Sequence, residues 1–435
     1  MKFFFILIIY LISTSSLAHS KQVRWLAFGD IRGHVESCGC DPATDLGGIG
    51  RLNYFLTLEA QANKPFLLFS LGNNLASETV KNNAINAMLA KLDLTAALLN
   101  ERELLAAELA GNYLLSNLPK GSPHAERKNI RKYVSTDREI IFGYLFNQRV
   151  ATQVRKFDDQ LLQEWQTLIA KHRKQQSYLL FAGSLEHLRA LLARAQVYKI
   201  KFEQVLMANH ASFDTTPTHK EKNAPHLLTH KIGDNQVYMT PLAAQGVLRG
   251  GAMLHNEASL LFAKKPANDG LFGKRVTWLD KRYNDQSAKF WQDYLKAQDH
   301  EFKRREQEGV KHLASSQFTG ALACKGCHVK EYLVWEQSKH AQAMQTLVAK
   351  NRHLNVDCVA CHSVGFGSGG YVSEKFTNHL AGVQCENCHG AGIEHIKSGG
   401  KVKTPHGKGF NCIACHHPPH TADFNQQLYW QKIKH

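Results

Sequence analysis

Twelve residues near the end of the chain are spaced for a single chemistry: Cys324–Cys327–His328, Cys358–Cys361–His362, Cys385–Cys388–His389 and Cys412–Cys415–His416. Each group is a Cys-x-x-Cys-His segment. Two thiols at that spacing can bond to the two vinyl groups of one porphyrin, and the adjoining histidine can bind its iron, so each segment is an attachment signature for haem c. Zinc is the competing use of Cys and His. Four repeats take up eight of the ten cysteines and leave none of those eight unused, which favours haem. The eight thiols are therefore read as haem thioether sites, and His328, His362, His389 and His416 as proximal iron ligands. Four covalently bound haems c make this a chain that carries electrons.

The elements around these residues must be unusual. From Ser316 to His435 only 120 residues surround four porphyrins. That is too little protein for a conventional core, so the porphyrins must supply much of the buried apolar surface. Short helices and loops are expected there, with Gly-rich stretches such as Gly365 to Gly370, and the haem-free segment should not fold. Just before it, Asp285 to Glu308 is charged and helical in pattern, with Phe290, Trp291, Tyr294 and Leu295 on one face. It reads as a linking helix within residues 286–315.

The preceding residues alternate strand and helix. Val23–Phe28, Phe66–Leu71, Tyr178–Phe181 and Gln204–Met207 have the short apolar runs of buried strands, and Ala84–Leu99 and Gln160–Lys174 have helical spacing. Each strand runs into a polar turn (Gly29-Asp30, Gly72-Asn73, Gly183-Ser184, Asn209-His210), where ligands gather in α/β sheets. Four segments result: a leader over 1–18, an α/β domain over 19–285, the linker, and a haem domain over 316–435.

A single Lys2, a short apolar run and a small-x-small pattern at Ser16-Leu17-Ala18 predict a signal peptide cut after Ala18. The apolar run is short for an uncleaved anchor. No later stretch is long and apolar enough to span, so export to the periplasm or cell exterior is expected, without a transmembrane anchor after cleavage. The formal charge of +16 falls to about +15 without Lys2, and eight ionised haem propionates would leave about +7. The remaining excess suits redox partner proteins with acidic docking patches. Scattered basic residues and export argue against nucleic acid. An oligomer or filament joined by haem contacts stays open.

Residues 318–435 resemble the tetrahaem cytochromes c of nitrifying bacteria that accept electrons from hydroxylamine oxidoreductase. Beyond the attachment segments, the matching features are Phe318-Thr319-Gly320, the Trp-x-x-Ser-x-His-Ala pattern at Trp335–Ala341, and the stretch Val383-Gln384-Cys385-Glu386-Asn387-Cys388-His389-Gly390-Ala391-Gly392-Ile393-Glu394-His395. The terminal segment from Phe424 through Tyr429 to His435 matches as well. The resemblance makes His340, His395 and His435 the first candidates for distal iron ligands, a histidine in solvent or on a propionate being the ordinary alternative. His353, His417 and His420 are further candidates. Three distal ligands for four irons imply that one iron is five-coordinate, as the family allows, and open to a small molecule.

The front domain resembles the metallophosphoesterase domain of 5′-nucleotidases, a β-sandwich flanked by helices that binds two metals. Gly29-Asp30-Ile31-Arg32-Gly33 keeps that family's aspartate but carries Arg32 where it has histidine. Gly47-Gly48-Ile49-Gly50-Arg51 matches a second motif, whereas the metal-bridging aspartate is replaced by Asn73. Asn100-Glu101-Arg102 keeps the asparagine and loses the catalytic histidine, Tyr113–Leu118 fits the next strand, and Asn209-His210-Ala211-Ser212 ends in serine. A neutral amide at the bridge and a permanently charged guanidinium among the ligands oppose two-metal chemistry. The domain is expected to be inactive, with Asp30, Asn100, His187 and His210 as the residues that would hold one residual divalent metal.

Cys38 and Cys40 are the remaining thiols. A strained, easily reduced disulfide, a metal or redox role and free thiols all remain open for them. The expected architecture is an α/β metallophosphoesterase-like sandwich followed by a mainly helical, irregular tetrahaem cytochrome c domain. The expected function is electron transfer between redox partners. Its rivals are reduction or oxidation of a small nitrogen or sulfur compound at an open haem, and a redox-linked phosphoesterase.

Overall fold

A computed structural model describes residues 24–29, 31–36, 48–62, 66–76, 78–106, 109, 111–146, 148–209, 226–232, 235–240, 252–254, 271–277, 288–405, 412–416 and 424–435. The leader expected over residues 1–18 lies outside them, as do Asp30, Cys38, Cys40, His210, His417 and His420.

The front domain opens with β1 (Arg24–Phe28), α1 (Ile49–Ala62), β2 (Phe66–Ser70), α2 (Thr79–Leu89), β3 (Ala96–Ala97), α3 (Glu101–Leu104) and β4 (Tyr113–Leu114). It continues through β5 (Ile130–Arg131), β6 (Tyr133–Ser135), β7 (Glu139–Leu145), α4 (Asp159–Lys171), β8 (Gln176–Gly183), α5 (Leu185–Val197) and β9 (Gln204–Asn209). Strands β10 (His226–Ile232), β11 (Asn235–Thr240), β12 (Ala252–Leu254) and β13 (Leu271–Thr277) complete it. Eleven strands form one sheet in the order β3-β2-β1-β12-β13-β10-β11-β9-β8-β7-β6, while β4 pairs with β5.

Strand alternation shows how this sheet closes on itself. Trp25, Ala27 and Phe69 face one way and join Ile141, Tyr178 and Leu180 of the far strands in one buried cluster. The Phe69 and Tyr178 rings are 5.9 Å apart. Leu26, Phe28 and Leu68 face the other way, onto Leu52 and Phe55 of α1 and Ile85 and Met88 of α2. On the far side Trp165 of α4 packs 5.1 Å from Phe142. The result is a β-sandwich with helices outside, as expected, each buried large apolar side chain contributing roughly 1.5–3 kcal/mol.

One expected element is different. The helix expected over Ala84–Leu99 runs instead from Thr79 to Leu89, and Ala96 and Ala97 pair in parallel with Phe69 and Ser70. Leu98 and Leu99 are both fully buried, so neither flank of this stretch can face solvent as a surface helix requires.

Helix α6 (Lys289–Val310) joins the two halves. Its first turns place Phe290, Trp291 and Tyr294 in the front core, and its later turns place Phe302 in a separate core with Val356, Val359 and Leu380. Beyond it lie α7 (Ala321–Lys325), α8 (Val329–Glu336), α9 (Ala343–Ala349), α10 (Val356–His362), α11 (Glu374–Thr377), α12 (Cys385–His389), α13 (Ile393–Lys397) and α14 (Gln426–Trp430). Eight buried apolar residues make up that second core. Eleven of the fourteen exposed large hydrophobics among the described residues, including Leu322, Val329, Ile413 and Leu428, lie in this part of the chain. This exposure agrees with the expectation that porphyrins supply much of the apolar cover in this part.

Candidate functional site

The attachment segments sit on short helices whose ends are tied to one another. In α12, Glu386 lies between the two cysteines and is buried. Its carboxylate accepts hydrogen bonds from the backbone N–H of Thr319, Gly320 and Gly392 at 2.7–3.1 Å. Gln384 accepts from Ala321 N at 2.6 Å and donates to His379 O and Ala381 O. These two side chains bind the third segment to the approach of the first. The sequence signal for them was the residue pattern around Cys385; their role was not legible there.

The thiols themselves are neighbours. Cys324 lies beside Cys385, Cys361 beside Cys415, and Cys388 beside Cys412. The segments therefore adjoin in the order first, third, fourth, second.

The three expected distal histidines each come up against a different attachment histidine. Ring centres are 6.1 Å apart for His328 and His395, 6.0 Å for His389 and His435, and 5.9 Å for His416 and His340. With a metal–nitrogen bond of about 2 Å on each side and about 1.1 Å from nitrogen to ring centre, two imidazoles sharing one metal have centres about 6 Å apart. The spacing fits haem iron between each pair.

Hydrogen bonds orient these rings. His395 Nδ1 is 2.7 Å from Val402 O, His435 Nδ1 2.9 Å from Ile433 O, and His362 Nδ1 2.7 Å from Ala343 O. A carbonyl can only accept, so each Nδ1 donates and Nε2 is the ring nitrogen left to meet a metal, the usual arrangement of a ligating histidine. His340 is placed by Val383 N, which donates to His340 O at 3.0 Å, while Trp335 Nε1 donates to Val383 O at 2.7 Å. Burial, with His416 alongside, holds the His340 imidazole below its ordinary pKa and favours the neutral, ligating form. His416 also stacks on Phe424 at 4.8 Å.

His362 differs from the other three. Among the described residues no histidine ring pairs with it at about 6 Å; His340, whose ring pairs with His416, is a charge neighbour of His362. His353 has its Nδ1 enclosed without a hydrogen-bond partner among the described residues, and no ring pairing joins it to an attachment histidine there.

In the front domain, two of the four positions expected to hold metal are described, and both make other contacts. Asn100 caps α3, its Oδ1 accepting from Glu101 N at 2.7 Å and its Nδ2 donating to Leu71 O at 3.0 Å. His187 Nδ1 is 2.8 Å from Ser184 Oγ, and its ring lies 4.6 Å from Phe146. Asp30 and His210, the other two expected ligands, are outside the described residues. No group of three or more His, Cys, Asp or Glu gathers for a metal among the described residues.

A buried carboxylate organises the loops instead. Glu103 accepts from Asn73 N and Asn74 N, both at 2.6 Å. Arg32 N donates to Asn73 O at 3.0 Å and Gly33 N to Asn74 O at 2.8 Å, joining the loop after β1 to the loop after β2. Gly72 is required between them: its φ is +73°, and a Cβ would lie 2.4 Å from Leu98 O. Glu103→Ala should strip two buried N–H groups of their acceptor and cost about 3 kcal/mol of stability, read as a lowered denaturation midpoint. An unchanged midpoint would show that the loops hold without it.

The family model for cytochrome c554 and c-prime matches residues 323–390. Cytochrome c-554 of Nitrosomonas europaea is 36% identical over 139 residues, which is 24% of this chain and 59% of that cytochrome. The chain thus spans just under three fifths of that relative's length. The C-terminal part is similar to this cytochrome family. Among solved structures, a sulfate thiohydrolase from Thermus thermophilus has a TM-score of 0.42 at 14% identity, covering 63% of this chain and 60% of its own. The NAD nucleotidase of Haemophilus influenzae follows with 0.38 at 12%, covering 63% and 61%. A calcineurin-like phosphoesterase of Bacillus subtilis has 0.39 at 11%, covering 63% and 96%. These resemblances concern the N-terminal part and extend to outline alone.

Proposed function

We propose that the chain is an exported multihaem cytochrome c that passes electrons between redox partners through four haems c. The cysteines of the four segments would attach them, and the irons would be held by His328 with His395, His389 with His435, and His416 with His340. His362 would hold the remaining iron, with its sixth position open. The three ring pairs about 6 Å apart carry this reading, since each unites one attachment histidine with a histidine distant in sequence. Haem iron supplies one-electron transfer when bound. The chain's own part is to orient the imidazoles through their Nδ1 bonds and to set the segments side by side. The order first, third, fourth, second puts the open position at one end of the relay.

Residues 19–285 would then serve partner binding or assembly, with 286–315 as linker and 316–435 as the electron-carrying part. The basic excess would favour partners with acidic docking patches. Metal analysis should give four irons per chain and no second metal, and the purified protein should not hydrolyse a nucleotide or a generic phosphate ester. A bound divalent metal with hydrolysis would reinstate the phosphoesterase.

A second reading, conversion of a small nitrogen or sulfur compound at the His362 centre, is favoured by the absence of a paired histidine ring among the described residues. Room-temperature spectra should show one high-spin haem in four, and nitric oxide should bind at one equivalent per chain. A wholly low-spin spectrum that nitric oxide leaves unchanged would remove the open position.

A further inference from the structure

The two halves of the molecule meet at one attachment segment, and polar side chains make the contact. Glu36, in the loop after β1, accepts from Asn355 Nδ2 at 3.0 Å and from Arg352 Nε at 3.0 Å. Asn355 is the cap of α10: its Oδ1 accepts from Asp357 N at 2.9 Å and Cys358 N at 3.4 Å. Lys81 of α2 pairs with Asp357 at 2.6 Å. The Arg352 guanidinium also lies over the Trp291 ring at 5.9 Å. Helix α10 carries Cys358, Cys361 and His362, the attachment histidine with no paired histidine ring among the described residues.

The loop that presents Glu36 is held from behind. Val35 is in the front core, Arg32 N and Gly33 N bond to the loop after β2, and Glu103 fixes that second loop. A continuous path therefore runs from the loops after β1 and β2 through Glu36 and Asn355 to the helix of the second segment. Asp357 immediately precedes Cys358, so these charges stand at the edge of the second centre.

We propose that the front domain is a charged clamp on the second attachment helix, with Glu36, Lys81 and Asn355 as positioning residues that set the reduction equilibrium of the haem attached there. This rests on the haem attachment argued above. The loop after β1 and helix α2 thereby grip the helix of one attachment segment. A net positive charge near a haem favours its reduced form, and a net negative charge its oxidised form. Glu36→Gln leaves Arg352 unbalanced, whereas Lys81→Met leaves Asp357 unbalanced.

The test is a spectroelectrochemical titration of the full holoprotein and the two variants. One of the four potentials should rise in E36Q, and the same one should fall in K81M, each by about threefold to tenfold in the reduction equilibrium constant. Tenfold corresponds to about 59 mV for one electron. The other three should stay in place, which also shows that the variants are folded. General loosening of the structure would move the potential in the same direction in both variants. The proposal is overturned if the two shifts share a sign, if all four potentials move together, or if none moves. Peptide mass mapping separates the two levels of argument: a Cys358–His362 peptide without haem refutes the attachment, whereas haem in place with unmoved potentials refutes the clamp alone.

Discussion

Replacing His340 with glycine is expected to turn one further haem from low spin to high spin and to raise nitric oxide binding from one to two equivalents per chain. His340 and His416 have ring centres 5.9 Å apart, the separation of two imidazoles on one metal. The backbone at this position has its own supports, through Val383 N to His340 O and Trp335 Nε1 to Val383 O, so losing the imidazole does not release the chain. Added imidazole should restore the low-spin spectrum by filling the vacated space. A variant with an unchanged spectrum and a single nitric oxide equivalent would show that His340 is not an iron ligand. The reading would then need His353, or one of the histidines outside the described residues, at that position.

Chain made without haem attachment should lose its order from Ser316 onward. The core around this part has eight buried apolar residues, seven of them beyond Ser316 and the eighth, Phe302, on α6, against an ordering cost of about 1–2 kcal/mol for each backbone residue. Apolar side chains such as Leu322, Val329, Ile413 and Leu428 are left in solvent unless porphyrin covers them. With all four cysteine pairs changed to serine, limited proteolysis should remove this part about 100-fold faster than from the holoprotein, and its slow-exchanging amides should disappear. A protease-resistant 316–435 fragment without haem would contradict the argument. Buried carboxylates such as Glu386 would then be holding the segments together unaided.

The sandwich was largely legible in advance because its strands are short apolar runs buried on both faces, as in Leu68–Leu71 and Tyr178–Phe181. Ala84–Leu99 was not, because a run of alanines and leucines fits helix by spacing and strand only by burial. Leu98 and Leu99 are enclosed on both flanks, and that decides it. The front site followed the same division. Asn73 was legible as an amide where the resemblance places an aspartate, but Glu103, which takes the N–H groups of that loop, carried no signal as an acidic residue inside a short helix.

Haem attachment needs two thiols and a histidine within five residues, so it is written locally, and the sequence by itself determined the four Cys-x-x-Cys-His segments. That His395 meets His328, His435 meets His389 and His340 meets His416 across about 6 Å brings together residues dozens of positions apart, and only the tertiary structure decided it. The structure likewise decided that His362 has no paired histidine ring among the described residues, and that the front domain's Glu36 and Lys81 close on its helix. Covalent chemistry is specified by spacing along the chain, whereas axial ligation and charge balance are specified by what the fold brings into contact.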